Sequence, residues 1–162
     1  MKLRAVVLTI SDSRSAGQAE DRGGPAILEQ LPALDAIAVH REIVPDEVER
    51  IRATAGAWIN RCDVILATGG TGIALRDVTP EALAPLIERA LPGFGELMRV
   101  AHADKNPLSI VSRSGAGVSG RTLIVWMPGK PTAVTECLTL LAPAIRHACR
   151  ILRGDTSHPD PA

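Results

Sequence analysis

Short apolar runs alternate with segments of helical periodicity along this chain, and that alternation limits the possible folds more than any other feature. The apolar runs predict strands at residues 5–10, 36–44, 64–67, 109–112 and 123–127. The periodic segments predict helices at residues 25–31, 48–59, 79–90, 94–103 and 132–152, with a kink at Pro143. Alternating strands and helices indicate a three-layer α/β/α fold, in which helices cover both faces of a mainly parallel sheet.

One stretch, Thr68–Glu81, lies between a predicted strand and a predicted helix and is rich in glycine. Glycine permits positive φ and a close approach of the backbone to a ligand, and exposed backbone N–H groups bind anions. The candidate anion-binding residues here are Gly69, Gly70, Thr71, Gly72 and Arg76. Asp77 adds a carboxylate, which suits an anion site when a cation lies between the two negative charges. The combination predicts a site for a Mg²⁺-bound nucleotide.

Two polar residues of this stretch also have structural interpretations. Arg76 could pair with the neighbouring carboxylate of Asp77 and orient it, because a guanidinium commonly binds a carboxylate through two nitrogens. Thr79 is a further candidate for ligand binding, but Thr79 and Pro80 also form a favourable N-cap and first-turn pair for the helix that follows. The sequence leaves both alternatives open.

The two best-known phosphate-binding glycine motifs do not account for this stretch. The P-loop pattern is missing from the sequence, and the dinucleotide pattern Gly-x-Gly-x-x-Gly occurs at Gly115, Gly117 and Gly120. A predicted strand rather than a helix follows that match. The sequence therefore predicts a turn there and no dinucleotide site.

Further candidates for ligand binding follow the other predicted strands directly: Ser11, Asp12, Asp46, Pro128 and Gly129. Because the C-terminal ends of parallel strands meet at one edge of a sheet, these residues are expected to converge with Thr68–Glu81. Ser11 and Asp12 could instead cap or turn the chain, and Asp46 could be the N-cap of the next helix. Ser112 would point away from that edge if its strand formed a hairpin with the strand that follows it.

Charge and composition exclude several classes of protein. The 162 residues include 18 basic and 18 acidic side chains, so we expect no nucleic-acid partner and no anionic membrane surface. The three cysteines form no metal-binding or disulfide pattern, which favours a reduced, cytoplasmic protein. No segment has the length of a signal peptide or of a membrane span. We expect one domain over residues 1–153 and a frayed tail at 154–162.

Five motifs, spread in order over residues 3–152, resemble the molybdopterin adenylyltransferases of the MogA/MoaB type and the G domains of gephyrin. They are Thr9–Asp12, Val44–Glu47, Thr68–Glu81, Ser112–Arg113 and Met127–Pro131. The resemblance implies a molybdopterin-binding-like α/β/α fold and a homotrimer. It implies Mg²⁺-dependent transfer of AMP from ATP to the terminal phosphate of molybdopterin, with release of pyrophosphate, and a molybdenum-insertion protein as a downstream partner.

The resemblance also implies roles for individual residues. Asp46 and Asp77 match the two functional carboxylates of the family and are candidates for holding Mg²⁺. Gly70–Gly72 match the loop that binds the nucleotide phosphates. Ser112 matches a contact on the pterin side of the substrate.

Two residues depart from the family pattern. Gly23 stands where relatives commonly have Ser, and Trp126 stands where many have Asn, which removes one polar group near the expected pterin. Because a fold can persist without its chemistry, a molybdopterin carrier with little catalysis is an alternative to the transferase. Hydrolysis of a nucleotide phosphodiester, with water as the acceptor, is a third.

Overall fold

The computed structural model describes residues 1–155. Within them, six strands form one sheet: β1 (Leu3–Ile10), β2 (Ala36–Val44), β3 (Val64–Thr68), β4 (Arg89–Ala90), β5 (Gly115–Ser119) and β6 (Thr122–Met127). The strand order is β2-β1-β3-β6-β5-β4. The pairs β1/β2, β1/β3 and β3/β6 are parallel, whereas β5/β6 and β4/β5 are antiparallel. The predicted mainly parallel sheet is confirmed, with an antiparallel edge.

Helices cover both faces of this sheet. They are α1 (Asp12–Ser15), α2 (Gly23–Gln30), α3 (Val48–Gly56), α4 (Thr79–Leu83), α5 (Pro92–Val100) and α6 (Pro131–Leu152), with 3₁₀ turns at Leu31–Leu34, Ala84–Leu86 and Pro107–Val111. In the described residues no helix is long and apolar enough to cross a membrane. The expected tail at 154–162 falls largely on residues 156–162, which lie outside the described range.

The buried side chains of each central strand point alternately into two separate apolar cores. Val7 and its alternate neighbours pack with α2, α5 and α6 on one face of the sheet. Leu8 and its alternate neighbours pack with α3 and α4 on the other face. Since strand side chains alternate between faces, a strand that is apolar at every position must be covered on both sides. This arrangement confirms the predicted three layers.

The predicted helix at 79–90 is wrong in its second half. The α-helix ends at Leu83, and β4 occupies Arg89–Ala90. Pro85 has no backbone N–H to bond the carbonyl of Glu81, so the α-helix ends and one 3₁₀ turn, Ala84–Leu86, follows it. The chain then pairs with β5, where Glu88 N–H donates to the carbonyl of Val118 at 2.9 Å.

The predicted strand at 109–112 is also wrong, because this segment belongs to the 3₁₀ turn Pro107–Val111. The side chain of Asn106 accepts a hydrogen bond from Leu108 N–H at 3.3 Å and so begins the turn. The apolar side chains of Ile110 and Val111 that suggested a strand are exposed. Ser112 follows the turn and is not at a strand end, so the expected conflict of direction does not arise.

The turn predicted from the glycines at 115, 117 and 120 is only partly correct. Gly115 and Gly117 lie in β5, and Gly120 alone lies in the tight turn, with φ of +55°. A Cβ atom on Gly115 would lie 2.7 Å from the ring of Trp126, and one on Gly117 would lie 2.3 Å from Ile87. These glycines therefore serve close packing within an antiparallel hairpin, which is not the strand-to-helix context of a dinucleotide site.

Candidate active site

An open cleft of about 580 Å³ lies at the C-terminal edge of the parallel strands, and we call it the main cleft. Its lining residues are Ile10, Ser11, Arg14, Asp46, Gly69, Gly70, Thr71, Gly72, Asp77, Gly129, Lys130 and Pro131. The structure thus brings eight of the predicted site residues to one cavity, as the strand-end argument expected. Asp12, Arg76, Thr79, Ser112 and Pro128 lie outside this lining.

The glycine loop begins with two residues of positive φ, Gly69 at +101° and Gly70 at +64°. Any side chain on Gly69 would collide with β1, because its Cβ atom would lie 2.3 Å from the carbonyl oxygen of Ile10. The predicted need for glycine here is confirmed at both positions.

The turn after β6 supports the loop from its other side. Gly69 N–H donates to the carbonyl of Met127 at 3.0 Å, and the hydroxyl of Thr68 donates to the carbonyl of Pro128 at 2.7 Å. A Cβ atom on Gly129 would approach Gly69 Cα to 3.3 Å. Pro128 and Gly129 are therefore brought to the glycine loop, although only Gly129 lines the main cleft.

Thr79 holds the loop from beneath. Its hydroxyl donates to the carbonyl of Gly69 at 2.7 Å, and its N–H donates to the carbonyl of Gly70 at 3.1 Å. The side chain is fully buried and is the first residue of α4, so the predicted N-cap role is wrong. Thr79 fixes the carbonyl side of the loop and leaves the opposite side to the cleft.

The polar residues after β1 and β2 are joined to each other. Asp12 N–H donates to Oδ2 of Asp46 at 2.8 Å, and Asp46 N–H donates to Oδ1 of Asp12 at 2.9 Å. Glu47 is the residue before α3 and makes no side-chain cap bond, so the capping interpretation of Asp46 is wrong. Ser11 does cap α1, since its hydroxyl oxygen accepts from Arg14 N–H at 3.3 Å, and it also lines the main cleft.

Arg76 binds Asp12, so the alternative in which it pairs with Asp77 is wrong. Its Nε and Nη2 lie 2.9 Å and 2.7 Å from Oδ2 of Asp12. The carboxylate of Asp77 instead accepts a hydrogen bond from Ala74 N–H at 2.9 Å. Asp77 lies next to Arg76 in sequence, but the turn of the loop directs the two side chains to different partners.

The electrostatic environment shifts the pKa values of Asp46 and Asp12 in opposite directions. Burial raises the pKa of Asp46, and the negative charges of Asp12 and Asp77 raise it further. The hydrogen bond from Arg76 instead holds the pKa of Asp12 below its usual value. The Asp46 carboxylate therefore has an electrostatic cost when ionised that a nearby cation would relieve.

The donor set fits Mg²⁺. Asp46 and Asp77 line the same cleft beside the glycine loop, and Mg²⁺ is commonly held by one or two carboxylates together with substrate phosphates. Within residues 1–155 no group of three or more His, Cys, Asp or Glu side chains could hold a metal ion by itself. The site thus suits a cation that arrives with a phosphate ligand.

A second cavity of about 290 Å³, here called the side groove, adjoins the main cleft and shares Thr71, Gly72 and Lys130 with it. Ser112 lines this groove, and its hydroxyl lies 2.8 Å from the hydroxyl of Ser114. Among the buried side-chain nitrogen and oxygen atoms of the described residues, Nε2 of His102 lacks a hydrogen-bond partner. That atom belongs to the lining of the groove, 4.0 Å from a carboxylate oxygen of Glu136.

The two departures from the family pattern have physical consequences. Trp126 is 7% exposed, and its indole N–H donates to the carbonyl of Arg113 at 2.9 Å, so it braces a neighbouring segment instead of facing a ligand. A Cβ atom on Gly23 would lie 3.0 Å from the methyl group of Thr68. Glycine at this position allows α2 to approach the end of β3 closely.

Sequence reasoning missed three basic residues near the site. Arg14 and Lys130 line the main cleft, and Arg113 contacts the glycine loop. Lys130 and Arg113 were inside the motifs that carried the resemblance, which was the available signal. Arg14 had no such signal in the sequence. It lies in α1, a single helical turn whose composition is ordinary for a protein surface.

Comparison with known proteins identifies the family. The family described as "Probable molybdopterin binding domain" matches residues 6–147. The chain belongs to this family. It is 42% identical over 153 residues to the molybdopterin adenylyltransferase of Helicobacter pylori J99. The aligned region covers 92% of this chain and 87% of the relative. The resemblance to the MogA/MoaB type is therefore confirmed.

A solved structure and a larger relative agree with this assignment. The crystal structure of the molybdopterin biosynthesis enzyme MoaB from Thermus thermophilus has a TM-score of 0.88 at 40% identity, covering 94% of this chain and 97% of that one. Gephyrin from Dictyostelium discoideum is 39% identical over 160 residues, which cover 91% of this chain and 22% of gephyrin. The protein is thus a molybdenum cofactor biosynthesis protein with the MogA/MoaB-like α/β/α fold.

Proposed function

We propose that this protein catalyses Mg²⁺-dependent transfer of AMP from ATP to the terminal phosphate of molybdopterin. The observation that supports the proposal most is the meeting of Asp46, Asp77 and the Gly69–Gly72 loop at one cleft. Nucleotidyl transfer needs chiefly positioning and charge neutralisation, which a rigid loop of backbone donors and two carboxylates can supply. The protein thus belongs with the nucleotidyltransferases, as its relatives do.

The transfer is an in-line displacement at the α-phosphorus of ATP. An oxygen of the molybdopterin phosphate forms the new bond to phosphorus, and the bond from phosphorus to the bridging oxygen breaks and releases pyrophosphate. The backbone of Gly70–Gly72 and the hydroxyl of Thr71 bind phosphate oxygens, and Lys130 supplies positive charge to them. Asp46 and Asp77 would hold Mg²⁺, which supplies charge neutralisation for the phosphates when bound.

The side groove is the place for the pterin. It is mainly apolar in character, adjoins the loop at Thr71 and Gly72, and contains Ser112. The unpartnered Nε2 of His102 favours a ligand with a polar edge in this groove, because a buried polar atom is normally hydrogen-bonded. The proposed arrangement places the two substrates on opposite sides of Thr71.

A homotrimer is part of the proposal. Exposed apolar side chains project from the glycine-loop turn and from the segment around the 3₁₀ turn at 107–111: Ile73 74%, Leu75 98%, Val100 70%, Leu108 74% and Ile110 66%. We expect these side chains to be buried between subunits, since exposed apolar surface marks interaction sites in many proteins. We expect sedimentation equilibrium to give three times the 17.1 kDa chain mass, and a monomer mass would refute the trimer. A cytoplasmic location and delivery of the product to a molybdenum-insertion protein complete the proposal.

Pyrophosphate release tests the proposed reaction. The wild-type protein should release pyrophosphate from ATP and Mg²⁺ only when molybdopterin is present, and mass spectrometry should detect adenylylated molybdopterin. Tight molybdopterin binding without pyrophosphate release would favour a carrier. Release of AMP without an adenylylated product would favour hydrolysis.

A further inference from the structure

Both ends of the turn that carries Asp77 are bound by one side chain outside it. Nε of Arg113 donates to the carbonyl of Gly72 at 2.8 Å, and Nη2 donates to the carbonyl of Asp77 at 2.6 Å. Nη1 of the same guanidinium binds the carboxylate of Glu81 on α4. All three guanidinium nitrogens of Arg113 are therefore used, two of them across the mouth of the turn.

The main chain of Arg113 is itself held against the glycine loop and the sheet. Its N–H donates to the carbonyl of Thr71 at 2.7 Å. Its carbonyl accepts the indole N–H of Trp126, which lies on the central strand β6 and is 7% exposed. The contacts form a continuous connection from β6 through Arg113 to the loop.

The turn has little else to hold it in place. Ile73 and Leu75 are 74% and 98% exposed, so they add little apolar packing. Arg76 ties the turn to Asp12, but the two side chains are 65% and 45% exposed, and such surface pairs contribute little. The internal bond from Ala74 N–H to the Asp77 carboxylate closes the turn without attaching it to the rest of the protein.

We propose that Arg113 is a positioning residue, which holds the Asp77 carboxylate at the main cleft by bridging Gly72 and Asp77. This inference rests on the proposed role of Asp77 in nucleotidyl transfer. Lysine cannot replace arginine here, because an ammonium group is a compact charge and cannot span two carbonyls and a carboxylate in one plane. The effect of losing the bridge is displacement of the turn, while the substrates keep their direct contacts.

The comparison of Arg113→Lys with wild type tests the inference. We expect kcat for molybdopterin-dependent pyrophosphate release to fall about 10- to 100-fold, because a displacement of about 1 Å can cost that much, with little change in KM for ATP. Methylguanidine should restore part of the activity of Arg113→Ala, and methylammonium should not. Arg89→Lys is the matched control, since Arg89 donates to the carbonyl of Gly120 in the β5–β6 turn and should tolerate the change.

Amide hydrogen exchange gives a second readout that requires no substrate. In Arg113→Lys the amides of Ala74 and Asp77, which bond within the turn, should exchange faster, while amides of the β1/β3 ladder keep wild-type protection. Glu81→Gln keeps an acceptor for Arg113 and should show a smaller change in the same direction. Unchanged exchange, or an unchanged kcat when the wild type is active, would overturn the positioning role.

The two proposals can fail separately. If the wild-type protein releases no pyrophosphate, the proposed reaction is wrong, and the exchange comparison still decides whether Arg113 fixes the turn. If the wild type is active and Arg113→Lys keeps full kcat, only the inference about Arg113 is wrong. If Arg113→Lys unfolds, the exchange and kcat of Glu81→Gln decide it.

Discussion

Gly70 and Asp46 approach so closely that a Cβ atom on Gly70 would lie 3.0 Å from Oδ1 of Asp46. The same atom would lie 2.4 Å from the hydroxyl oxygen of Thr79. The loop backbone is thus confined between a carboxylate after β2 and a buried threonine on α4. Its conformation and the place of the carboxylate depend on each other.

Replacing Gly70 with Val should weaken nucleotide binding strongly. The position has φ of +64°, which a β-branched residue rarely adopts, and the side chain would displace Thr79 or Asp46. Isothermal titration with ATP and Mg²⁺ should show a loss of affinity of about 10-fold or more. We also expect a lower midpoint of thermal unfolding.

Gly56→Val is the matched control for that substitution. A Cβ atom on Gly56 meets nothing within 4 Å, and the residue is the last of α3 and does not line the main cleft. Nucleotide affinity should stay at the wild-type value. Equal effects of the two substitutions would contradict a specific role of Gly70.

Asp77→Asn should abolish most turnover and leave the fold intact. The exchange is nearly isosteric and keeps an oxygen to accept from Ala74 N–H, but it removes the charge proposed to hold Mg²⁺. We expect kcat to fall about 100- to 1,000-fold, since loss of a metal contact costs several kcal/mol of transition-state stabilisation. Circular dichroism should be unchanged, and near-normal turnover would refute the role of Asp77.

Asp46→Asn should make the protein more stable at neutral pH. Burial and the charges of Asp12 and Asp77 raise the pKa of Asp46 in the folded state above its unfolded value. The contribution of such a group to stability is fully present below the unfolded pKa and is lost as pH rises through the folded pKa. The gain from asparagine, measured by urea unfolding, should therefore be largest near neutral pH and shrink in acid.

Asp21→Asn provides a control of opposite sign. Burial acts to raise the pKa of Asp21, but hydrogen bonds from Arg41 and from Gly24 N–H outweigh it, and the pKa is lowered overall. Its stabilising contribution is present above the unfolded pKa and is lost as pH falls through the folded pKa. Asp21→Asn should thus destabilise at neutral pH, and a pH-independent difference for Asp46→Asn would contradict the linkage.

The three cysteines should be unreactive in the folded protein. Burial raises the pKa of Cys62 to about 12, of Cys137 to about 11 and of Cys149 to about 12, and all three are free thiols. Because the thiolate is the reactive form, Ellman's reagent at pH 8 should react slowly with native protein and quickly after unfolding in urea. Fast reaction of one thiol per native chain with Ellman's reagent would show that this cysteine is not buried.

Sequence patterns predicted the central part of the fold well and its edge poorly. Three of the four parallel strands, β1, β3 and β6, are apolar at nearly every position, so their pattern predicts buried strands when helices follow them. The strand β5, Gly115–Ser119, which lies next to the edge strand β4, was predicted as a turn because its glycines serve close packing against Trp126 and Ile87, which are distant in sequence. The 3₁₀ turn at 107–111 was predicted as a strand because local apolar composition does not reveal exposure.

The sequence predicted which residues belong to the site better than it predicted which of them bind one another. Strand ends that meet at one edge indicated which polar residues would converge. The partners of those residues were not predictable from neighbours in sequence, as Arg76 binds Asp12 rather than Asp77 and Asp46 binds Asp12 rather than capping α3. Side chains of similar chemistry compete for each partner, and distance in space decides among them.

Local sequence patterns were sufficient to predict the parallel strands and most helices, the glycines that need positive φ, and the motifs of the molybdopterin-binding family. These are local properties of the chain, because backbone sterics and burial patterns act over a few residues. The folded structure was needed to show that Arg113 bridges the turn at Gly72 and Asp77, and that Trp126 donates to the carbonyl of Arg113. Such contacts join segments separated by 13 to 41 residues. These segments come within hydrogen-bond distance only when the sheet has folded.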